Sequence, residues 1–306
     1  MRPGRDALNM QKRVVLTIVV LILLPFASAD IDIPDESREV SGGHAILLEQ
    51  YTATWCDTCA TIDPWISDFV DDRSNRVVRV ALHPNDEDPF GTPLTSKRLV
   101  LKESDHQLSL PTFWFDGQEE VEGHVSQSTL ESRLRNAEAN RENSISMHMV
   151  WNTWGNEPHD SVHELTIVIE EDMPSNASIT VFRLETLEMD SQIIAYNGID
   201  IHHDVATQMI TFNGNGTISE SFDGAHGWNI RSINQTNSES SLVLTLETYG
   251  NIDGFVTEIE VDGSVRGVIG ITDEVNPRNV EKDSSLTLIL LVGALVTSGI
   301  IVSRRE

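Results

Sequence analysis

Cys56 and Cys59 stand two residues apart in Trp55-Cys56-Asp57-Thr58-Cys59, and they are the only cysteines in the chain. Two thiols at that spacing close a small disulfide with little backbone movement, and the same spacing also serves metal binding. A helix start supplies partial positive charge that favours thiolate over thiol. Cys56, first in the motif and nearest such a start, is the candidate attacking thiolate. Cys59 is the candidate that resolves the mixed disulfide. Asp57 lies between them and Asp63 follows; their negative charge raises the Cys56 pKa, Asp63 more weakly. In an exported protein the same pair also serves as a static staple at a strand-to-helix corner. Two cysteines exclude a disulfide-dense scaffold and a four-thiolate metal site.

Other residues carry weaker signals. His202-His203-Asp204, with His159 and His163 elsewhere, has metal-binding residue types. Neighbours on a strand face opposite ways, so the two adjacent histidines do not readily chelate one ion. No metal and no cofactor is therefore expected. Trp151, Trp154 and Trp228 suit either a sugar- or peptide-binding surface or, more simply, a buried core. Acceptor tripeptides for glycosylation occur at Asn176, Asn215 and Asn234. No glycine-rich phosphate loop or nucleophile elbow is evident.

The elements that must position these residues follow from periodicity. Ala45–Ala53 and Arg76–Leu82 read as strands, with a helix over 57–72 that Pro64 interrupts. A second helix is expected from about Thr95 to Glu103. Thr112–Phe115 and Glu119–Gly123 form a hairpin around Asp116-Gly117. Ser126–Asn140 reads as a helix with Leu130, Leu134 and Ala137 on one face and Ser126 as its cap. Residues 144 to about 275 hold strand-like stretches at Ile145–Trp151, Val162–Ile169, Ala177–Leu184, Met209–Phe212, Leu242–Tyr249 and Phe255–Val261, separated by Gly/Asn turns. That pattern predicts an antiparallel β-sandwich.

The chain has 306 residues and a net charge of −27, with 39% hydrophobic residues. Packed cores are affordable at that composition, which excludes a disordered chain. The charge disfavours a nucleic-acid partner. Apolar runs long enough to matter occur only at the two ends. The basic, then apolar, then small-residue pattern of residues 1–29 reads as a signal peptide. Residues 285–303 carry no charge and are followed by Arg304-Arg305, which reads as a membrane helix with a cytoplasmic tail at 304–306. Between these ends lie a lead-in at 30–43, units at 44–141 and 144–275, and a linker at 276–284.

In order, the strand, the CxxC motif, the helix with Pro64, Leu110-Pro111-Thr112-Phe113 before a strand, Gly117 in the hairpin turn and Gly123 after it form one pattern. Over residues 44–141 it resembles the thioredoxin superfamily. The resemblance implies an α/β thioredoxin-like domain, here followed by an all-β antiparallel sandwich domain and a C-terminal transmembrane helix. It further implies a cis peptide bond at Pro111 beside the cysteines and a substrate groove flanked by Trp55 and Pro111, with Thr112 as a neighbour. Gln50 departs from the family, which often carries a buried carboxylate at that position. Together with Asp57 this predicts a less acidic thiol and a less oxidising pair than in strong disulfide-forming members. The expected function is a membrane-anchored, exported thiol–disulfide oxidoreductase, working on protein thiol or disulfide clients with a separate redox partner. The alternative is a cell-surface binding or adhesion module with an inert disulfide.

Overall fold

The computed structural model describes residues 33–73, 76–85, 88–102, 108–155, 160–190, 197–219, 227–236 and 241–273. The first strand, β1 (Glu36–Gly42), is followed by β2 (Ile46–Tyr51), a 3-10 turn at Cys59–Thr61, α1 (Asp63–Asp71), β3 (Val77–Leu82), α2 (Pro93–Lys102), β4 (Thr112–Phe115), β5 (Val121–Glu122) and α3 (Gln127–Asn140). From there the chain is all strand: β6 (Met147–Trp154), β7 (Val162–Ile169), β8 (Ala177–Glu188), β9 (Ile201–Asn213), β10 (Asn229–Thr236), β11 (Ser241–Tyr249), β12 (Gly254–Val261) and β13 (Ser264–Thr272).

β2 and β3 are apolar on both faces and pair in parallel from Ile46↔Val77 to Tyr51↔Leu82, as strands covered on both sides do. Ile46 and Leu48 pack against Ile62, Ile66 and Phe69 of the α1 region and Leu130 and Leu134 of α3. Leu47, one residue out of phase, packs with Leu94 and Leu99 of α2. Asp116 and Gly117 both have positive φ, 53° and 70°, which turns the chain at the start of the 116–120 connection between β4 and β5, with Gln118 N–H donating to Phe115 O at 3.2 Å. Ser126 caps α3 by accepting from Thr129 N–H at 3.2 Å.

Two sheets organise the molecule, with strand orders β1-β6-β7-β11-β10 and β13-β12-β8-β9-β3-β2-β4-β5. Their facing sides enclose an apolar core that includes Trp151, Leu165, Ile167, Ile179, Phe212, Trp228, Leu244 and Phe255. β1, in the expected lead-in, is fully paired with β6. β3 pairs with β9 through Ala81↔Val205, which carries one sheet across both halves of the chain.

This architecture corrects the expected fold class. The described chain is mostly β, with 48% strand, 17% helix, three helices and two sheets, not an α/β thioredoxin core with a separate sandwich after it. The physical reason is sheet continuity: β2, β3, β4 and β5 complete an eight-stranded sheet with β8, β9, β12 and β13. The core on the α2 side is therefore shared with Phe182, Met209 and Val256, while the α1 and α3 side is packed by residues 46–137 alone. No helix among the described residues is long and apolar enough to cross a membrane. The expected signal peptide, linker and membrane helix lie outside the described residues.

Candidate redox site

β2 ends at Tyr51 and the chain turns through Ala53, Trp55 and Cys56 into the 3-10 turn that precedes α1. Cys56 and Cys59 are joined by a disulfide, with Sγ–Sγ 2.08 Å and Cα–Cα 5.2 Å. The two cysteines differ slightly in burial: Cys56 is 6% exposed and Cys59 is 0% exposed. Cys59 N–H donates to Cys56 Sγ at 3.0 Å. Further backbone bonds close the corner, from Cys56 N–H to Ala53 O and from Ala60 N–H to Cys56 O, both 3.1 Å. Trp55 is 37% exposed beside the pair, Asp57 is exposed, and Leu110 packs on the Ala53, Cys56 and Cys59 cluster.

The structure brings several of the expected site residues together. The Leu110-Pro111 peptide bond is cis, and Gly123 N–H donates to Pro111 O at 2.8 Å. Thr112 is buried and its hydroxyl donates to Ser109 O at 2.5 Å. Pro64 is in the first turn of α1, where its missing N–H costs nothing. Asn176, Asn215 and Asn234 are exposed, far along the chain on the sandwich half. His202 is buried and His203 exposed, so the two do face apart; Asp204 pairs with Arg79 at 2.8 Å instead. His163 is spent in the core, accepting from Trp151 Nε1 at 3.1 Å while its Nε2 donates to Gly250 O at 2.8 Å. Burial lowers its pKa. Trp151 and Trp228 are buried and Trp154 half-buried. His159 lies outside the described residues.

Behind the corner is a polar seam whose residues reasoning from motifs did not single out as a group. Gln50, at the position where a carboxylate is common in the resembled family, donates from Nε2 to Asp63 Oδ1 at 2.6 Å. Thr52 donates to Asp63 Oδ2 at 3.0 Å. The half-buried Asp63 carboxylate at the start of α1 is thus held by two side chains from the end of β2 and the residue after it. Burial pushes its pKa up, against those hydrogen bonds and the Arg79 charge. Gln50, Thr52, Asp63, Arg79, His83 and His202 line a cavity of about 20 Å³, room for one water. Among the described residues Gln50 Oε1, His83 Nε2 and His202 Nε2 are buried without a hydrogen-bond partner, and burial first, then the neighbouring His83, lowers His202 to about 4. Asp88 accepts from Thr54 N–H at 2.7 Å and lies 3.1 Å from His83 Nδ1. Burial raises the Asp88 pKa, but His83 and the backbone N–H groups outweigh it and the net shift is down.

Glu49 points away from this seam, as strand alternation requires. It is buried against Arg98 Nε at 2.7 Å and Lys102, and Arg98 also holds Glu258 at 2.8 Å. Among the described residues no group of three or more His, Cys, Asp or Glu is arranged to hold a metal ion.

HBP35 of Porphyromonas gingivalis is similar to this chain in fold, with a TM-score of 0.54, 14% identity and 76% of each chain covered. A structural-genomics protein of Agrobacterium tumefaciens gives a TM-score of 0.43 at 9% identity, covering 74% of this chain and 92% of its own. Neither likeness speaks to activity. No protein-family model and no curated protein sequence matches the chain.

Proposed function

We propose that the chain is a thiol–disulfide oxidoreductase whose Cys56–Cys59 pair exchanges with protein clients. The observation that carries this reading is the asymmetry of the disulfide. Cys56 keeps 6% of its surface, next to an exposed Trp55, and Cys59 keeps none.

The asymmetry assigns roles. In the oxidised state a client thiolate attacks Cys56 Sγ, the reachable sulfur, and Cys59 leaves as thiolate. A second client thiol then displaces Cys56, so the client gains a disulfide and the pair becomes a dithiol. In the reverse direction the Cys56 thiolate attacks a client disulfide and one client thiolate leaves. Cys59 then attacks Cys56 and releases the second client sulfur. The Cys59 N–H aimed at Cys56 Sγ stabilises that thiolate in either direction. Resetting the pair takes a partner dithiol or disulfide. In this reading residues 285–303 anchor the protein and the redox corner faces outside the membrane, a placement that rests on the sequence of the two ends.

The deep burial of Cys59 also suits a second reading, a surface binding or adhesion module whose disulfide is a fixed staple. Glutathione disulfide separates the two. Cys59→Ser is expected to take up one glutathione at Cys56, whereas Cys56→Ser, with its remaining thiol sealed, stays unmodified in the folded protein. Equal reactivity of the two variants, or none in either, overturns the assignment.

A further inference from the structure

Asn197 lies 141 residues after Cys56, in the segment that leads into β9. It is half-buried against the disulfide corner. Its Nδ2 donates to Ala53 O at 3.2 Å and to Cys56 O at 3.3 Å. Its backbone N–H donates to Thr54 O at 3.1 Å. The amide orientation is fixed independently, because Asn197 Oδ1 accepts from Ile199 N–H at 3.0 Å. One residue thus holds three carbonyls of the short stretch that delivers Cys56. On its other side the same stretch is held by Asp88 through Thr54 N–H.

We propose that Asn197 is a positioning residue that sets the redox poise of the Cys56–Cys59 pair, resting on the reading of that pair as an exchanging one. When the disulfide is reduced, the covalent link that fixes the corner is gone, and a free backbone would gain conformational entropy. Asn197 keeps the Ala53–Cys56 stretch in place in the dithiol. Less freedom is then lost when the two sulfurs rejoin, which favours the disulfide. The segment before β9 thereby tunes chemistry on the β2–α1 corner, in the other half of the chain.

The test is the equilibrium of the full chain with glutathione, in which two glutathione thiols are oxidised to one glutathione disulfide as the protein disulfide becomes two thiols. Asn197→Ala is expected to make the disulfide about five- to tenfold easier to reduce, since both side-chain hydrogen bonds to the Ala53–Cys56 stretch are lost; tenfold is about 30 mV for this two-electron couple. Asn197→Ser keeps a short donor and is expected to shift in the same direction by less. It decides the matter if the alanine variant does not fold. Asn213→Ala, which removes a comparable amide bond to Thr217 Oγ1 at a distant turn, is expected to leave the equilibrium unchanged. A purely structural role would lower the thermal midpoint of Asn197→Ala without moving the equilibrium of folded protein. Equilibria within twofold of the unsubstituted chain in both Asn197 variants overturn the proposal. If the unsubstituted pair itself resists reduction by glutathione, the exchange reading fails first, and that outcome is distinct.

Discussion

The core between the two sheets and the seam behind the disulfide are built from opposite materials. Between the sheets, Trp151 meets Phe255 edge-on at 5.0 Å, and Phe212, Trp228 and apolar side chains of β6, β7, β8, β9, β11, β12 and β13 fill the rest. Of its few polar groups His163 is satisfied, and Trp228 Nε1 is buried without a hydrogen-bond partner among the described residues. The seam instead buries Asp63, Arg79, His83 and His202 around a water-sized cavity and leaves ring nitrogens and an amide oxygen unpaired. Each unpaired buried polar group costs roughly 1–3 kcal/mol. The difference teaches where stability and where chemistry are held: the apolar core stabilises the sheet pair, and the destabilised polar region adjoins the disulfide.

Substitutions sharpen that division. Trp151→Ala is expected to cost about 3–5 kcal/mol in urea unfolding while leaving the thiol–disulfide equilibrium of folded protein unchanged. A coupled shift in that equilibrium would break the division. Arg98→Met removes a partner of the buried Glu49 carboxylate, and breaking such a pair costs about 3–5 kcal/mol. The lower end is expected near pH 7, because Lys102 still faces Glu49 and Glu258, pushed up to about 8, already carries its proton.

The pH response of this ionic group is the next smaller effect. Burial pushes Glu258 up to about 8, and the nearby Arg98 charge does not offset it. Burial also acts on Glu49, but Arg98 and Lys102 outweigh it and hold it at about 2. The folded state therefore binds the Glu258 proton more tightly than the unfolded chain. Its contribution is present below the ordinary carboxylate range and is lost as pH rises towards 8. Glu49 works oppositely: its contribution is present above the ordinary range and is lost as pH falls towards 2. Glu258→Gln is expected to flatten the decline in stability between about pH 5 and about pH 8 by on the order of 1 kcal/mol, read from urea midpoints. An unchanged slope would contradict the assignment.

The smallest effect belongs to the exposed Asp57. Asp57→Asn removes a negative charge beside Cys56 and is expected to lower the Cys56 thiol pKa, followed by thiolate ultraviolet absorbance. Stability should stay within about 0.5 kcal/mol. A raised pKa would sink the electrostatic account.

The elements around the disulfide were legible because each has a strong local signature: β2 and β3 as apolar runs, the Asp116-Gly117 turn, and the Ser126 cap. β10 and β13 were not. β10 reads Asn-Ile-Arg-Ser-Ile-Asn-Gln-Thr, with two apolar residues in eight, and its pairing with β11 supplies what its composition lacks. β13 carries Gly267 and Gly270, which weaken a strand pattern. Gly270 is required because a Cβ there would come within 2.9 Å of Val78 Cγ1. The joining of β3 to β9 was not legible, because the register contact Ala81↔Val205 has no signature in either strand. Asn197 was invisible for the same reason, since an asparagine that braces distant carbonyls looks like any loop asparagine. The cysteine pair itself needed no structure to be found, whereas the unequal access of its two sulfurs did.

The central claim is that Cys56 and Cys59 exchange, and the reduction potential of the pair in the full chain tests it most directly. The protein is equilibrated in glutathione or dithiothreitol buffers, and the thiols are trapped and counted. A potential between about −120 and −270 mV, the range of exchange catalysts, is the expected result. A potential below about −300 mV, resistant to reduction by the glutathione pool, would contradict it and leave the disulfide a staple.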